Sequence, residues 1–308
     1  MIKIIVSKDG EGDFLSIQEA IDSVRVLSLE PVTIMIKEGV YEEVVTVPDN
    51  KPNIKIIGDG KEKTIIQNNR CATMKNKQGK SIGTFKTAVV YAFADNLSFE
   101  NLTIRNCAGF GESIGQALAL YVSGDKCMFN HIALSGNQDT FYSSRGRQYF
   151  INSYIEGHVD FIFGSGTVVF DNCIIHSLRK GYITAASTPQ DLRYGFVFRN
   201  CKLTGEADPD SVYLGRPWRP YAHTAFINTW MGPHIKCEGW DNWRDHKNEF
   251  TSRYYEYRSF GPGAHHEQRV QWSKMLSDQE AKQYSLENIF HQANHWIPNT
   301  TQNERLHH

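Results

Sequence analysis

Residues 130–175 read NHIALSGNQDTFYSSRGRQYFINSYIEGHVDFIFGSGTVVFDNCII, and this stretch decides the fold that we predict. Within it an Asn repeatedly precedes a short apolar run, and the pattern continues on both sides. The five occurrences recur at intervals of 29, 22, 20 and 28 residues and begin at Asn101, Asn130, Asn152, Asn172 and Asn200. Asn tolerates left-handed backbone and hydrogen-bonds its neighbours, so it suits a recurrent corner. The uneven intervals indicate loops of varying length at fixed corners of a repeating coil.

The apolar runs of the chain are short and β-rich, and each is bounded by Gly, Pro, Asn or Asp. Examples near the N-terminus are VTIMI (32–36), VVTV (44–47) and IKII (54–57). No amphipathic helical segments separate the Asn-headed runs, which disfavours alternating α/β folds. The pattern favours an all-β fold, a right-handed parallel β-helix. A β-sandwich is the alternative, but its strands usually recur about every 8–12 residues without Asn corners.

Both ends of the predicted solenoid carry helix signals. Ser16 and Glu19 form a capping-box pattern, and an apolar face follows at Ile17, Ala20, Ile21 and Val24. We expect this helix to plug the open end of the solenoid. A second capping box, Ser277–Glu280, lies in a segment of helical composition, residues 272–290. We therefore expect one domain over residues 1–308, with a solenoid over 1–270 and a helical C-terminal tail over 271–308.

Composition excludes several classes of protein. The 308 residues are 40% hydrophobic and carry a formal net charge of −1, so a general nucleic-acid binder is disfavoured. No apolar run has membrane-spanning length, and we expect no membrane partner. The start, MIKIIVSKDGEGDF, lacks the apolar region of a signal peptide. A cytoplasmic location is therefore expected, unless a leader has been removed.

The six cysteines form no CxxC pair, which disfavours a zinc site. Cys173 and Cys201 occupy equivalent places in DNCII and RNCKL, and we expect two small buried residues on adjacent coils. A disulfide between them is the alternative. His291 and His295 are four residues apart, but HQANH lacks the Glu of a zinc protease motif, so we interpret it as part of a surface helix.

Three polar motifs recur one repeat apart. QALAL begins at Gln116, QDTF at Gln138 and DFIFG at Asp160, so both intervals are 22 residues; LGRPW follows at Leu214. If each interval is one coil, equivalent positions lie about 4.8 Å apart. An amide, a carboxylic acid and a second carboxylate would then form one stripe on the surface, as in an active site.

These motifs, with GVYEE (39–43) and EYRSFGPGA (256–264), resemble the signature set of the pectin methylesterase family. The resemblance covers nearly the whole chain, in the family's order. It implies a right-handed parallel β-helix and hydrolysis of the methyl esters of galacturonate residues. The implied partners are methyl-esterified homogalacturonan or oligogalacturonides. The sequence does not reveal the oligomeric state, and we take a monomer as the expectation.

The resemblance also implies roles for five polar residues. Asp160 is the expected nucleophile, which attacks the ester and forms an acyl-enzyme. Arg216 is its expected partner, and its guanidinium should lower the pKa of that carboxyl. Asp139 is the expected acid and base, and Gln116 and Gln138 are expected to donate to the oxyanion. This set requires no metal and no other cofactor.

Aromatic residues surround these motifs and provide flat faces on which sugar rings can stack. The five candidates for substrate contact are Phe141, Tyr142, Phe161, Trp218 and Tyr221. The resemblance implies that Phe161 and Trp218 face the substrate. For the other three, packing between coils is an equal alternative. The family usually has Leu at the position of Phe141, a difference that we expect to reshape the groove locally.

Two other kinds of function use the same fold. A pectin depolymerase is the first: a lyase would need an acidic calcium site, and a glycosidase would use two carboxylates. The sequence shows no dense acidic cluster, but carboxylate spacing alone does not exclude a glycosidase. The second is a carbohydrate-binding β-helix without catalysis. Arg216 and the two Gln motifs favour the esterase.

Overall fold

The computed structural model describes residues 2–290 and 296–298, in which 24 strands and four short α-helices are arranged along the chain. The strands are β1 (Ile2–Val6), β2 (Val32–Ile36), β3 (Gly39–Glu42), β4 (Val45–Val47), β5 (Ile54–Gly58), β6 (Thr64–Asn68), β7 (Val90–Ala92), β8 (Ser98–Glu100), β9 (Thr103–Asn106), β10 (Leu120–Val122), β11 (Cys127–Asn130), β12 (Ala133–Ser135), β13 (Phe141–Ser143), β14 (Arg147–Ile151), β15 (Tyr154–Gly164), β16 (Thr167–Asp171), β17 (Ile174–Ala186), β18 (Phe196–Arg199), β19 (Lys202–Gly205), β20 (Val212–Pro217), β21 (His223–Ile227), β22 (Trp230–Met231), β23 (Arg253–Tyr257) and β24 (Lys274–Met275). The helices are α1 (Ile17–Ser23), α2 (Lys247–Thr251), α3 (Asp278–Ala281) and α4 (Leu286–Phe290). None of the described helices is long and apolar enough to cross a membrane.

The named strands pair in parallel and form the three faces of a right-handed β-helix, which confirms the predicted fold. The first face has the order β1-β2-β5-β8-β11-β14-β16-β18-β21-β23-β24. The second face contains β3, β6, β9 and β12, and the third contains β4, β7, β10 and β13. The long strands β15 and β17 turn the corner between these two faces, since each pairs with strands of both. The third face carries the candidate site.

Left-handed residues mark the corner before the second face. Four of the five predicted Asn residues have positive φ there, between 51° and 54°: Asn101, Asn152, Asn172 and Asn200. The prediction is wrong for Asn130, because His131 takes the left-handed position with φ 52°. Asn130 instead ends β11 and pairs with Glu100, one residue before the corner. The amide of Asn172 donates to the Asn152 side chain at 2.5 Å, so neighbouring corners are linked.

A stack of six phenylalanines fills the interior behind the first face. Their rings are fully buried and lie 4.3–5.3 Å apart between successive coils: Phe99, Phe129, Phe150, Phe170, Phe198 and Phe226. Each occupies the same position in its strand, so the parallel register aligns the rings. The next position in this row is Glu256, whose carboxylate pairs with Arg269 at 2.7 Å. This buried ion pair ends the apolar stack at the C-terminal end.

Helix α1 covers the N-terminal end of the solenoid, as predicted. Ile17, Ala20 and Ile21 are buried against the first coils. Ser16 caps the helix by accepting from the Glu19 N–H at 3.2 Å. The second half of the expected capping box is replaced by Glu43, whose carboxylate accepts from the Ile17 and Gln18 N–H groups at 3.0 Å each. Two of the unpaired N–H groups of the first turn are thereby satisfied from another coil.

The C-terminal tail differs from its prediction in where it begins. Lys274 and Met275 pair with Tyr255 and Glu256, so the first face continues past the expected boundary at residue 270. The capping box at Ser277 has both of its bonds. The short helices that follow pack Tyr284, Ile289 and Phe290 on the outer surface of the first face. His291 and His295 lie outside the described residues.

All six cysteines are free, and Cys173 and Cys201 are buried on adjacent coils, as we expected. Both thiols donate to backbone carbonyls: Cys173 to Asp171 at 3.3 Å, and Cys201 to Phe170 at 3.4 Å and Arg199 at 3.3 Å. The two residues therefore contribute small side chains and local hydrogen bonds to the corner of the solenoid.

Candidate active site

The third face carries a cavity of about 310 Å³ into which all five predicted polar residues converge. Its lining consists of Thr84, Phe85, Gln116, Gln138, Asp139, Asp160, Phe163, Ala185, Arg216, Trp218 and Trp243. Five of these are the two amides and two carboxyl groups of the predicted stripe and the guanidinium predicted as the partner of Asp160. The stacking of coils thus brings together residues that are separated by as many as 100 positions in the chain.

The two carboxyl groups come from equivalent positions of successive coils. Tyr142 pairs with Phe163 in the ladder, and the Asp139 N–H donates to the Val159 carbonyl at 3.1 Å. Both aspartates have left-handed backbone, with φ 64° at Asp139 and 51° at Asp160. Asp is one of the few residues that adopts this conformation at low cost. The turn leaves both carboxyl groups at the cavity while the next two side chains enter the core.

Arg216 holds Asp160 by two parallel hydrogen bonds. Its Nε donates to Oδ1 at 2.8 Å and its Nη2 donates to Oδ2 at 2.6 Å. The guanidinium also lies between the rings of Tyr182 and Trp243, with its carbon 3.8 Å from each ring centre. Such a bidentate pair, stacked on two aromatic faces, fixes the plane of both partners. Asp160 is therefore held in one orientation.

The loop that supplies Trp243 is itself constrained. Trp243 and the next residue, Arg244, both have positive φ, 59° and 58°. The Asp241 side chain accepts from the Trp243 N–H at 2.8 Å, and the Asp241 N–H donates to the Gly215 carbonyl at 3.1 Å. Two consecutive left-handed residues that are not glycine cost free energy, and the surrounding bonds must hold them. The loop is thus anchored beside Arg216.

Different surroundings separate the pKa values of the two carboxyl groups. Burial and the nearby charge of Asp160 raise the pKa of Asp139 well above its ordinary value. Burial also raises the pKa of Asp160, but the hydrogen bonds and charge of Arg216 oppose that rise. We expected Arg216 to lower the pKa of Asp160 overall; it acts in that direction, and the loss of solvent outweighs it. Of the two carboxyl groups, only that of Asp160 is hydrogen-bonded to the guanidinium of Arg216.

The amides of Gln116 and Gln138 are available to a ligand. In the part of the chain that the structure describes, neither side chain forms a hydrogen bond with another protein group. Their backbone carbonyls are used, since Gln116 accepts from Ala72 at 2.8 Å and Gln138 accepts from Ala117 at 3.1 Å. These hydrogen bonds fix the backbone of Gln116 and Gln138, and the side-chain amides line the cavity as unused donors.

Trp218, Tyr142 and Tyr221 occupy three different environments. Trp218 lines the cavity. Tyr142 is half-buried beside it and stacks on Phe163, with ring centres 4.7 Å apart. Tyr221 is not in the lining, and its carbonyl accepts two hydrogen bonds from Arg253. Trp218 is thus positioned to touch a ligand, Tyr142 supports the wall, and Tyr221 belongs to a loop anchor.

Phe161 and Phe141 are fully buried, which contradicts their prediction as substrate contacts. After each left-handed Asp the chain turns inward, so Phe161 enters the core next to Gly157. Phe141 packs edge-on against Phe150, with ring centres 4.9 Å apart. The Phe at position 141 therefore alters the packing of the core rather than the shape of the groove.

Five lining residues were not predicted: Thr84, Phe85, Phe163, Ala185 and Trp243. Phe163 could have been predicted from the sequence. It follows Asp160 at the same distance as the candidate Tyr142 follows Asp139, and the two aromatic residues are paired in the ladder. Thr84, Phe85 and Trp243 come from long loops, and no periodic pattern fixes where a loop side chain lies. Tyr182, which stacks on Arg216, was also missed.

One group of possible metal ligands occurs among the described residues: Asp210, Cys237 and Glu238. None of these lines the cavity. Lys236 lies 3.7 Å from the Asp210 carboxylate and 3.8 Å from that of Glu238. The ammonium group occupies the place that a cation would take, so this cluster does not support a calcium-dependent lyase.

Comparison with known proteins gives a consistent result. A family model described as Pectinesterase matches residues 3–294. The chain is similar to Pectinesterase 31 of Arabidopsis thaliana, with 39% identity over 281 residues, covering 90% of this chain and 88% of that protein. It is also similar to Putative pectinesterase 14 of the same plant, with 40% identity, covering 91% of this chain and 84% of that protein.

Solved structures resemble the whole fold. Pectin methylesterase from carrot has a TM-score of 0.87 at 32% identity, covering 94% of this chain and 92% of that one. Pectin methylesterase PemA from Erwinia chrysanthemi has a TM-score of 0.84 at 32% identity, covering 97% and 99%. A pectin methylesterase in complex with a hexasaccharide gives the same values.

Proposed function

The chain belongs to the pectinesterase family of carboxylic ester hydrolases, and from this premise we propose that Asp160 attacks the methyl ester of a galacturonate residue. The observation that carries the proposal is the pair of carboxyl groups in one cavity, of which only Asp160 has a bound guanidinium. A carboxylate held by a guanidinium suits a nucleophile, and a carboxyl group whose pKa is raised well above its ordinary value suits an acid.

The first half of the reaction forms an acyl-enzyme. A carboxylate oxygen of Asp160 adds to the ester carbonyl carbon, and a tetrahedral intermediate forms with its charge on the former carbonyl oxygen. When this intermediate collapses, the bond to the methoxy oxygen breaks and Asp139 gives that oxygen its proton. Methanol leaves, and the galacturonyl group stays joined to Asp160 as a mixed anhydride. The raised pKa of Asp139 supports its role as the proton donor.

The second half restores the enzyme. A water molecule adds to the acyl carbonyl carbon, and Asp139, now a carboxylate, takes a proton from it. Collapse of the second tetrahedral intermediate breaks the anhydride bond and releases the Asp160 carboxylate and galacturonic acid, which then loses its proton to solvent. Arg216 is bound to Asp160 throughout, and this contact supports its role in stabilising the carboxylate as attacking and as leaving group.

Both tetrahedral intermediates carry an oxyanion that needs donors. Gln116 and Gln138 line the cavity with side-chain amides not bonded to other described protein groups. Neutral amide donors stabilise negative charge without a change in their own protonation. Removal of one such donor typically costs about 100- to 1,000-fold in kcat. We assign both amides to the oxyanion on this basis.

We propose methyl-esterified homogalacturonan or its methylated oligomers as substrate. The names of the similar proteins support this class, and a structural neighbour is described as a complex with a hexasaccharide. The cavity lies on a side face of the solenoid, and Phe85, Trp218 and Trp243 provide aromatic walls on which sugar rings can stack.

Methanol release tests the activity, and trapping tests the mechanism. We expect methanol from highly methylated pectin and from methylated oligogalacturonides, without new reducing ends and without ultraviolet-absorbing unsaturated product. Rapid acid quench followed by peptide mass spectrometry should find a galacturonyl adduct on the peptide that contains Asp160. New reducing ends would instead favour the glycosidase, and unsaturated products would favour the lyase.

We also propose that the protein works in a reducing compartment such as the cytoplasm, where short methylated oligomers are the accessible substrate. The six free thiols support this, in particular Cys173 and Cys201 on adjacent coils. Thiol titration of the natively expressed, denatured protein should count six. A count of four, with a Cys173–Cys201 disulfide, would indicate an oxidising compartment instead.

A further inference from the structure

A second cavity lies between the outer surface of the first face and the C-terminal tail. It has a volume of about 320 Å³ and shares no lining residue with the catalytic cavity. Strands β21 and β23 contribute His223, Arg253 and Tyr255 to its lining, and the tail contributes Tyr284. We call this cavity the first-face pocket. A volume of this size accommodates a small ligand.

The first-face pocket carries more positive than negative charge. Three basic side chains line it, Arg193, Arg253 and Lys274, against one acidic side chain, Glu280. Glu280 is already paired with Lys274. In the part of the chain that the structure describes, neither guanidinium is paired with a carboxylate: Arg193 donates to the Gln283 amide oxygen at 3.0 Å, and Arg253 donates to backbone carbonyls. Two guanidinium groups at the pocket therefore lack an opposite charge.

The hydroxyl group of Tyr284 provides a donor that the protein does not use. The Gly195 N–H donates to His223 Nδ1 at 3.1 Å, so the neutral imidazole carries its proton on Nε2. This Nε2–H donates to the Tyr284 hydroxyl oxygen at 3.1 Å. Burial and the nearby charge of Arg253 lower the pKa of His223 to about 3, which keeps the ring neutral. The hydroxyl proton of Tyr284 must point away from His223, and among the described residues no group accepts it, although the side chain is only 8% exposed.

Aromatic rings form much of the pocket wall. Tyr194, Tyr255 and Tyr284 surround His223, with ring centres 5.5–6.1 Å from that of the imidazole. The Tyr194 hydroxyl donates to the Gln283 carbonyl at 2.7 Å, which ties the tail to the first face. Sugar rings stack their C–H faces on such aromatic walls. A sugar with an anionic group satisfies both the rings and the guanidinium groups, whereas a neutral sugar or an inorganic anion satisfies only one of them.

Arg253 connects the first-face pocket to the catalytic cavity. Its Nε and Nη2 donate to the Tyr221 carbonyl at 3.0 and 2.7 Å, and its Nη1 donates to the Leu192 carbonyl at 2.7 Å. Tyr221 has left-handed backbone, with φ 66°, and lies three residues after Trp218, which lines the catalytic cavity. Leu192 belongs to the loop after β17, the strand that contributes Ala185 to the same cavity. One guanidinium thus holds two loops that begin at the catalytic cavity.

We infer that the first-face pocket binds a monosaccharide that bears a carboxylate or a phosphate group, and that this ligand acts on the catalytic cavity through Arg253. The anion supplies the opposite charge that the backbone carbonyls lack, so Arg253 and the loop that carries Trp218 are held more firmly. The substrate then meets a better ordered wall, and KM should fall. Binding in the pocket is independent of the proposed function; only the effect on KM rests on it.

Calorimetric titration of wild type tests the binding step. The two anionic probes are galacturonate and galactose 1-phosphate, and the controls are galactose, which has no charge, and inorganic phosphate, which has no ring. We expect a Kd of about 1 mM or tighter for at least one anionic sugar. Both controls should bind about tenfold more weakly, because each loses one of the two kinds of contact. The tighter of the two probes identifies the anionic group.

Variants locate the ligand. Arg193 is exposed, so Arg193→Gln should retain the fold, and it should weaken binding of the anionic sugar about tenfold. Arg25→Gln is the matched control, because it makes the same change at an exposed site outside the pocket and should bind as wild type does. Tyr284→Phe removes the unused donor and should weaken binding about fivefold. Thermal melting checks that each variant is folded.

Kinetics on methylated oligogalacturonides test the action on the catalytic cavity. Saturating anionic sugar should lower KM about fivefold in wild type and in Arg25→Gln, but not in Arg193→Gln. An unchanged KM with the sugar bound would refute the action through Arg253. Absence of methanol release by wild type would refute the proposed function and with it the effect on KM, while calorimetry decides the site.

Three results overturn the site itself. The first is no measurable binding of either anionic sugar at about 10 mM. The second is equal affinity for galactose or for inorganic phosphate. The third is affinity that is unchanged in Arg193→Gln; competitive inhibition that persists in this variant would place the sugar in the catalytic cavity instead.

Discussion

Asp139 and Asp160 lie one above the other on successive coils, and both adopt left-handed backbone. The residues that follow them are alike: each Asp is followed by two buried side chains and then by an aromatic residue that points away from the interior of the coil, the half-buried Tyr142 or the buried Phe163. Their surroundings differ in charge, because Arg216 binds only Asp160 through two hydrogen bonds. Two copies of one backbone unit thus place two carboxyl groups in different surroundings.

Asp160→Asn should abolish methanol release while the fold is retained. An amide cannot attack the ester, and removal of a nucleophile can cost about 10⁶-fold in kcat. Circular dichroism and thermal melting report the fold, and methanol release reports activity. Activity above a few per cent in protein shown by mass spectrometry to be free of deamidated Asp would refute the assignment.

Asp139→Asn should reduce activity and increase stability at pH 7. The folded protein raises the pKa of Asp139, so it binds this proton more tightly than the unfolded chain does. The stabilisation is complete below the unfolded pKa, about 3.9, and is lost as pH rises through the folded pKa. The Asn variant has no such loss, so its Tm should exceed that of wild type by more at pH 7 than at pH 4. Equal Tm differences at pH 4 and pH 7 would contradict this account.

The pH dependence of kcat/KM should be bell-shaped. On the acidic side, protonation of Asp160 removes the nucleophile; on the alkaline side, deprotonation of Asp139 removes the acid. Because burial raises both pKa values, both limbs should lie above the range of ordinary carboxyl groups. A rate that is flat from pH 4 to pH 8 on a neutral methylated substrate would show that neither carboxyl group acts in this way.

Tyr182→Leu should lower kcat by about fivefold, whereas Tyr182→Phe should remain near wild type. The Tyr182 ring stacks on Arg216 but does not line the cavity, so its role is to position the guanidinium. A stacked cation of this kind is worth on the order of 1 kcal/mol. With Arg216 less fixed, the acidic limb of the pH profile should also move to higher pH in the Leu variant. A change in KM alone would indicate substrate contact instead.

Phe161→Ala should mainly reduce stability, whereas Phe163→Ala should mainly affect substrate binding. Phe161 is buried in the core, and its truncation should reduce the free energy of unfolding by about 3–5 kcal/mol. Phe163 lines the cavity, and its truncation should mainly raise KM. Denaturant unfolding and steady-state kinetics on both variants separate the two positions. A large rise in KM in folded Phe161→Ala, with unchanged stability, would return Phe161 to the substrate site.

The sequence predicted the architecture because a stacked coil leaves periodic traces. The corner asparagines and the near-regular spacing of the polar motifs reflect the same geometry, and Gln116, Gln138, Asp139 and Asp160 were identified from it with the resemblance. The coil at the site has 21 residues rather than the predicted 22, as Leu120, Phe141 and Ile162 show, so Asp160 lies opposite Asp139 and not opposite Gln138. The failures have a common physical cause. Asn130, Phe141 and Phe161 lie within two residues of a left-handed residue, where the alternation of inward and outward side chains is interrupted. Phe85 and Trp243 come from loops, whose course depends on tertiary contacts that no local pattern encodes.

Left-handed corners have a further consequence, for the ancestry of the site. Elsewhere in the solenoid the same backbone conformation is held by Asn residues with a purely structural task, such as Asn152 and Asn172. Codons for Asn and Asp differ by a single base. A single A-to-G mutation can therefore replace a structural Asn at such a corner by Asp. The reverse mutation can replace Asp160 by Asn without disturbing the coil. A homologue with Asn at the position of Asp160 should therefore keep the fold and lose the proposed nucleophile by a single base change.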